Sequence, residues 1–391
     1  MKTSIAKTIM LDGSRAVAEA VRLAEPSLVA AYPITPQTHI VETLSRWQAA
    51  GQTNYEYVRA DSESAAAAMV LGAAAMGEVA YTATSSQGLL HMVETLYNAG
   101  GLELPFVMTL ANRSVSAPIN IWNDLSDAMA IRDTGLIMLF AESNQEALDQ
   151  HIIAFRLAKE LSQPVVVNLD GFLLTHTSEA VCVPSAKLVK DFLQVNRTKH
   201  NQHLDTAHPN TIGHLFMPED FQSRRQNLQR KLVGALPIIE HIYQDYYKKI
   251  DTAGLTNYTT TNTGHLEYYG PQHANTVLIT LGSIAGTIKD ALDDFNKKTK
   301  KPVALLRLKT LRPLPISNLQ TILKHKKYLA VLDRALSVGA CPPLAADIAA
   351  ALNGQSLVSL VGGLGGKDIE RSDISTMIKL ARAGKYGPHF I

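Results

Sequence analysis

Cysteine is nearly absent from this chain: among 391 residues there are two, Cys182 and Cys341. Two thiols exclude a disulfide framework and fit a reducing compartment. They also cannot supply the four thiolates of an iron–sulfur cluster. An excess of one charge is missing too. The 37 basic and 35 acidic residues leave a net charge of +2 with His neutral. With no basic stripe there is no footprint for nucleic acid, and the short basic run 297–301 reads as solvated surface. Long apolar runs are lacking. The most apolar segment, 65–75, is far short of the ~20 residues that a membrane span needs, and the N-terminal residues carry no signal-peptide pattern. These absences lead to the expectation of a cytoplasmic protein with neither nucleic acid nor membrane as partner. What is present is core material: 46% of the residues are hydrophobic, enough for two packed domains at this length.

Strand-like apolar runs alternate with helical periodicities through residue 169, the rhythm of a parallel, doubly wound α/β sheet. Residues 13–23 read as a helix with Ser14 at its N-cap. Residues 28–31 read as a strand that ends in Tyr32-Pro33-Ile34-Thr35-Pro36. Prolines on both sides of Thr35 stiffen this turn. Thr35 is then either a helix cap or a hydroxyl aimed over the sheet end. After a strand at 55–59, Asp61 and Ser62 are cap candidates for a helix of small apolar residues opened by Glu63. A carboxylate in a first turn is ordinary dipole pairing. Beside so many alanines it is also a partly desolvated carboxylate that a ligand can approach.

A strand at 79–83 turns at Thr84-Ser85-Ser86-Gln87-Gly88 into the helix 89–98. Hydroxyls and amides at a helix start hold polar ligand groups, which makes Ser86 and Gln87 candidates. Arg113 follows the strand 105–111, and its planar fork suits a carboxylate. The loop 119–127, INIWNDLSD, is polar and aromatic and long enough to be functional or an interface.

Beyond residue 175 the rhythm breaks until about 262. Histidines are scattered there without cysteine nearby, so no metal site is expected. Residues 221–249 read as helix divided at Pro237. A second α/β unit follows, with strands at 277–281, 303–308, 328–332 and 357–360. The glycine cluster 362–366 lacks the spacing of a Walker or dinucleotide loop and reads as a tight turn with close packing. The chain divides into a first domain, 1–235, with a C-terminal helical connector, a linker, 236–262, and a smaller α/β domain, 263–391.

The segments AYPITP, DSESAAAA, YTATSSQGLLHMVETL, LANRSVSAPINIWND, HPNTIG, LRPLP, DRALSVG and GGLGGKD occur in that order along the chain. In them, over about residues 10–385, the sequence resembles the alpha subunits of the pyruvate:ferredoxin oxidoreductase (pyruvate synthase) family. These are thiamine-diphosphate-dependent 2-oxoacid:acceptor oxidoreductases. The resemblance implies a thiamine-diphosphate pyrimidine-binding-type domain followed by a transketolase-C-terminal-like domain. It implies a subunit active only in complex. The reaction would take pyruvate and coenzyme A to acetyl-CoA and CO₂, or run in reverse. Electrons would reach ferredoxin or flavodoxin through [4Fe–4S] clusters of partner subunits. A beta subunit would bind the diphosphate and Mg²⁺, and gamma and delta subunits would complete the enzyme.

Carried onto this sequence, Glu63 matches the glutamate that hydrogen-bonds N1′ of the cofactor aminopyrimidine and so turns the 4′-amino group into a base. Thr35 and Arg113 match positions that contact substrate. After Trp122 the family's Asn-Asp-His is replaced by Asn123-Asp124-Leu125, which puts substrate specificity or rate in question. Two further readings stand beside the main one: the same machinery acting on 2-oxobutanoate, a branched-chain 2-oxoacid or 2-oxoglutarate, and a scaffold without catalysis. An ordinary transketolase-like enzyme is disfavoured, because no Gly-Asp-Gly followed by an Asn-Asn pair occurs.

Overall fold

The structure is a computed structural model that describes residues 7–194, 203–250, 255–256 and 259–391. Runs such as VVVNLD and FVMTLAN are buried along their whole length, as strands covered on both faces must be. The strands of the first unit are β1 (Lys7–Asp12), β2 (Leu28–Ala31), β3 (Glu56–Arg59), β4 (Ala80–Thr84), β5 (Phe106–Asn112), β6 (Ile137–Phe140), β7 (Val165–Asp170) and β8 (Ser178–Val183). The second half holds β9 (Leu266–Tyr269), β10 (Thr276–Leu281), β11 (Val303–Leu308), β12 (Thr310–Arg312), β13 (Tyr328–Asp333), β14 (Val358–Val361) and β15 (His389–Phe390).

The main sheet runs β6-β7-β5-β4-β2-β3, all parallel, as expected of a doubly wound α/β unit. Its strand order switches at β2, which lies between β3 and β4. Such a switch opens a crevice at the carboxyl ends of the strands. The second sheet runs β15-β14-β13-β10-β11-β9, parallel except for β9. β1 and β8 form a separate antiparallel ribbon. β12 was not expected. It leaves the second unit and pairs antiparallel with β6, so it extends the first unit's sheet.

Local details follow from cap chemistry. Asp12, extended as the last residue of β1, caps the helix Gly13–Ala24 by accepting from Arg15 N at 2.8 Å. Ser14, expected as that cap, lies inside the helix and donates to Thr175 O at 2.9 Å. Ser62 caps the helix Glu63–Ala75 through Ala65 N at 3.1 Å. The long helical stretch is two helices, Pro218–Gly234 and Leu236–Lys249, each with proline at its start. The second of these occupies part of the stretch 236–262 expected as a linker. It buries Ile239, Ile242, Tyr243 and Tyr246 in the first unit's core, and Tyr246 donates to the buried Asp149 at 2.7 Å.

The two units meet across buried charges. Arg307, inside β11, reaches Glu146 at 2.6 Å, Glu267 at 2.8 Å and Glu142 at 3.0 Å. Lys289 bridges Glu142 and Glu267, and Lys309 lies 3.2 Å from Glu146. Three cations thus balance three carboxylates. Against burial that would raise it, Arg307 and Lys309 hold the Glu146 carboxyl well below the usual carboxylate range.

Candidate active site

Four strand ends of the main sheet supply the candidate residues. Glu63 opens the helix that follows β3, and its side chain is 9% exposed. Gly88 lies opposite, in the first turn of the helix Ser86–Leu102. A Cβ built on Gly88 would fall 2.6 Å from Glu63 Oε1 and 2.7 Å from Thr84 Oγ1. The absence of a side chain at 88 is therefore what admits the carboxylate and the hydroxyl to one spot. Thr84 Oγ1 and Gln87 Nε2 are buried without any hydrogen-bond partner. Buried polar atoms are normally paired, so an unpaired hydroxyl beside a carboxylate makes this spot a candidate place for a polar ligand. His91 stands at the rim, its Nδ1 3.6 Å from Glu63 Oε2 and its side chain largely in solvent.

The second group centres on Arg113, just past β5. Its Nη1 donates to Thr35 O at 3.0 Å and its Nε to Asn120 O at 3.2 Å. Burial lowers the pKa of this arginine and the nearby Asp127 opposes that shift; the side chain remains a cation at neutral pH. Thr35 is thus brought to Arg113 through its carbonyl, in a turn whose Thr35–Pro36 bond is cis. Thr35 is not a cap, since the helix Thr38–Ala49 has Gln37 at its N-cap and no side-chain capping bond. Gln37 Nε2 ties the turn to the sheet by donating to Tyr32 O at 2.8 Å and Ala83 O at 3.1 Å.

Ser86 joins the two groups. It is the first residue of its helix rather than part of a preceding turn, and its φ of +47° is left-handed. Its hydroxyl donates to Gln87 Oε1 at 2.6 Å, and its amide to Asp127 Oδ2 at 3.1 Å. The same Oδ2 accepts from Arg113 N at 2.9 Å. Nothing in the sequence sets Asp127 apart from the rest of the polar loop 119–127. Burial pushes its carboxyl up to about 7, against the hydrogen bonds that it accepts.

That loop is pinned from behind by the second unit. Asn120 Nδ2 donates to Gly365 O at 3.1 Å, and Gly365 N donates to Asp124 Oδ2 at 3.0 Å. A Cβ on Gly366 would fall 2.4 Å from Trp122 Cβ. The glycine cluster is a close-packing turn here, with Gly363, Gly365 and Gly366 all at positive φ. Leu125 is buried in an apolar cluster that both units share, and its amide donates to Arg334 O at 2.8 Å. Arg334 in turn pairs with Asp170, the last residue of β7, at 2.5 Å. Asp170 also accepts from Asn123 at 3.1 Å and from Ser283 N at 2.8 Å. These contacts join the carboxyl ends of the two sheets. Among the described residues, no group of three or more His, Cys, Asp or Glu is placed to hold a metal ion, and no helix is long and apolar enough to cross a membrane.

Comparison with known proteins decides what this arrangement belongs to. The family model described as "Pyruvate flavodoxin/ferredoxin oxidoreductase, thiamine diP-bdg" matches residues 19–242, which include Glu63, Ser86, Arg113 and Asp127. The chain belongs to the pyruvate:ferredoxin oxidoreductase family. A second model of this family, "Pyruvate:ferredoxin oxidoreductase core domain II", matches residues 274–374.

Relatives within the family align over nearly the whole chain. The pyruvate synthase subunit PorA of Thermotoga maritima is 41% identical, over 95% of this chain and 93% of its own length. That of Methanocaldococcus jannaschii is 40% identical, over 94% and 93%. The ketoisovalerate oxidoreductase subunit VorA of Pyrococcus abyssi is 34% identical, over 96% and 95%. Among solved structures, the 2-oxoglutarate:ferredoxin oxidoreductase from Magnetococcus marinus, with 2-oxoglutarate, coenzyme A and succinyl-CoA bound, superposes with a TM-score of 0.72 at 19% identity. The alignment covers 95% of this chain and 65% of that one, so the likeness concerns the fold.

Proposed function

We propose that the chain is the alpha subunit of a pyruvate:ferredoxin oxidoreductase, which converts pyruvate and coenzyme A to acetyl-CoA and CO₂ or runs in reverse. The observation that carries this reading is the buried Glu63 carboxylate, set against Gly88 and the unpaired Thr84 hydroxyl, with the unpaired Gln87 amide on the residue before Gly88. These residues fit an aminopyrimidine, which both donates and accepts hydrogen bonds. Thiamine diphosphate, when bound, supplies an electron sink for cleavage beside the 2-oxo group. Glu63 would hold a proton at the pyrimidine ring nitrogen, with Gln87 and Ser86 beside it. Burial keeps water from competing for that hydrogen bond. Arg113 keeps Nη2 without a partner among the described residues and would pair with the substrate carboxylate, with the Thr35 hydroxyl alongside.

Partners are needed to finish the site. The helix Glu63–Ala75 with its C-cap Met76, and the helix Ser86–Leu102, leave Met69, Met76, Leu90 and Tyr97 exposed, an apolar face of the kind that an adjoining subunit covers. We assign to a beta subunit the diphosphate and Mg²⁺, and to beta, gamma and delta subunits the [4Fe–4S] clusters that lead to ferredoxin or flavodoxin. With two cysteines this chain holds no cluster of its own. A cytoplasmic location accords with this chemistry. The second reading, a branched-chain 2-oxoacid as substrate, is favoured by the 34% identity to the ketoisovalerate enzyme subunit. Substrate profiling of the complex separates the two.

The deciding experiment is Glu63→Gln in the assembled complex. General acid–base contributions are of order 10²–10⁴-fold. Turnover should fall at least ~100-fold while the partner chains still co-purify. Near-normal turnover would remove Glu63 from the mechanism.

A further inference from the structure

We propose that Asp127 is a positioning residue that holds substrate-facing Arg113 and cofactor-facing Ser86 in register with each other. The proposal rests on the roles given to Arg113 and Ser86 above.

Its carboxylate is fully buried and accepts four N–H donors. Oδ2 takes Ser86 N at 3.1 Å and Arg113 N at 2.9 Å. Oδ1 takes Asn112 Nδ2 at 3.0 Å and Ala128 N at 2.7 Å. A carboxylate that merely started its own short helix, Ser126–Ala130, would spend its bonds there. Asp127 instead directs one oxygen wholly to two other strand ends, those of β4 and β5. Ser86 needs such a hold, because its left-handed backbone is one that side-chain-bearing residues avoid. Arg113 needs it because its guanidinium is held by Thr35 O and Asn120 O, so a shift of its backbone would strain those two bonds and re-aim the charged fork. A displacement of about 1 Å in a substrate-positioning group is enough to cost ~100-fold in rate.

The test uses the assembled complex with pyruvate as the probe. Asp127→Asn keeps the shape but replaces one accepting oxygen by an NH₂ group. We expect the KM for pyruvate to rise at least ~10-fold, with a smaller change in kcat, because orientation of the carboxylate-binding fork is lost. Amide hydrogen exchange should quicken at residues 86 and 113 and stay unchanged in the second unit. Arg113→Lys serves as the reference, and the double variant should be little worse than Arg113→Lys alone, as coupled residues are. A raised KM in Arg113→Lys with an unchanged KM in Asp127→Asn overturns the positioning role and leaves the reading of Arg113 standing. An unchanged KM in both removes the reading of Arg113 and the proposal with it. A complex that merely melts at a lower temperature, with KM, kcat and local exchange unaltered, marks Asp127 as structural only. Should Asp127→Asn fail to assemble, Asp127→Glu, which keeps the charge and displaces it by one methylene, carries the same KM criterion.

Discussion

Gly88 shows how much of this site depends on one missing side chain. Alanine inside a helix normally stabilises by ~0.5–1 kcal/mol relative to glycine. At position 88 the added methyl would lie 2.6 Å from Glu63 Oε1, and something must move. The flexible member is the Glu63 side chain. Thr84 Oγ1, 2.7 Å away on a buried, β-branched strand residue, cannot give as easily. Gly88→Ala should therefore lower the melting temperature modestly, by less than a lost core contact would, and weaken thiamine diphosphate binding at least ~10-fold, about 1.4 kcal/mol. Cofactor titration of the complex checks this, and undiminished affinity would show that the close approach is incidental. Glu63, Thr35 and Arg113 stand out in the sequence because each follows a recognisable strand, Glu63 at the start of a helix, and because each falls in a segment that resembles the family. Asp127 does not, since Asp124 and Asp127 share one polar loop and only the tertiary structure makes Asp127 the acceptor of Ser86 N and Arg113 N.

At the scale of elements, long buried strands such as β5 and β7 announced themselves by apolar runs. β6, with four residues, and β12, with three, did not. Nor could sequence spacing pair Asp170 with Arg334 across the two units. The junction of β13 with the helix Pro343–Ala351 carries its own pH dependence. Asp333 ends β13, and its carboxylate accepts from Leu344 N at 2.7 Å and Ala345 N at 3.0 Å. Burial pushes its pKa up to about 7, against those two bonds. The fold thus keeps a proton that the unfolded chain has already released. From about pH 4, the ordinary carboxylate value, to about 7, this group lowers stability as pH rises. Asp333→Asn abolishes that titration. The unfolding free energy of the wild type minus that of the variant should fall between pH 5 and 8 in urea melts. A difference independent of pH would refute the raised pKa.

The whole molecule is held together by charge as well as by apolar contact. Arg307 lies among Glu142, Glu146 and Glu267, two of them contributed by the first unit. Such an ion group need not outperform an apolar core, but removing one member strands the others. Arg307→Met should cost ~3–5 kcal/mol, read as a lower urea midpoint. An effect below ~1 kcal/mol would mean that Lys289 and Lys309 suffice to neutralise the three carboxylates. β12 bears on a different question, that of heredity. A three-residue strand encoded with the second half completes the edge of the first half's sheet. An exchange of halves between relatives, made anywhere between β8 and β9, would hand β6 a foreign neighbour. Recombination thus meets no clean seam here, and β6 and β12 should travel together wherever the two halves are rearranged.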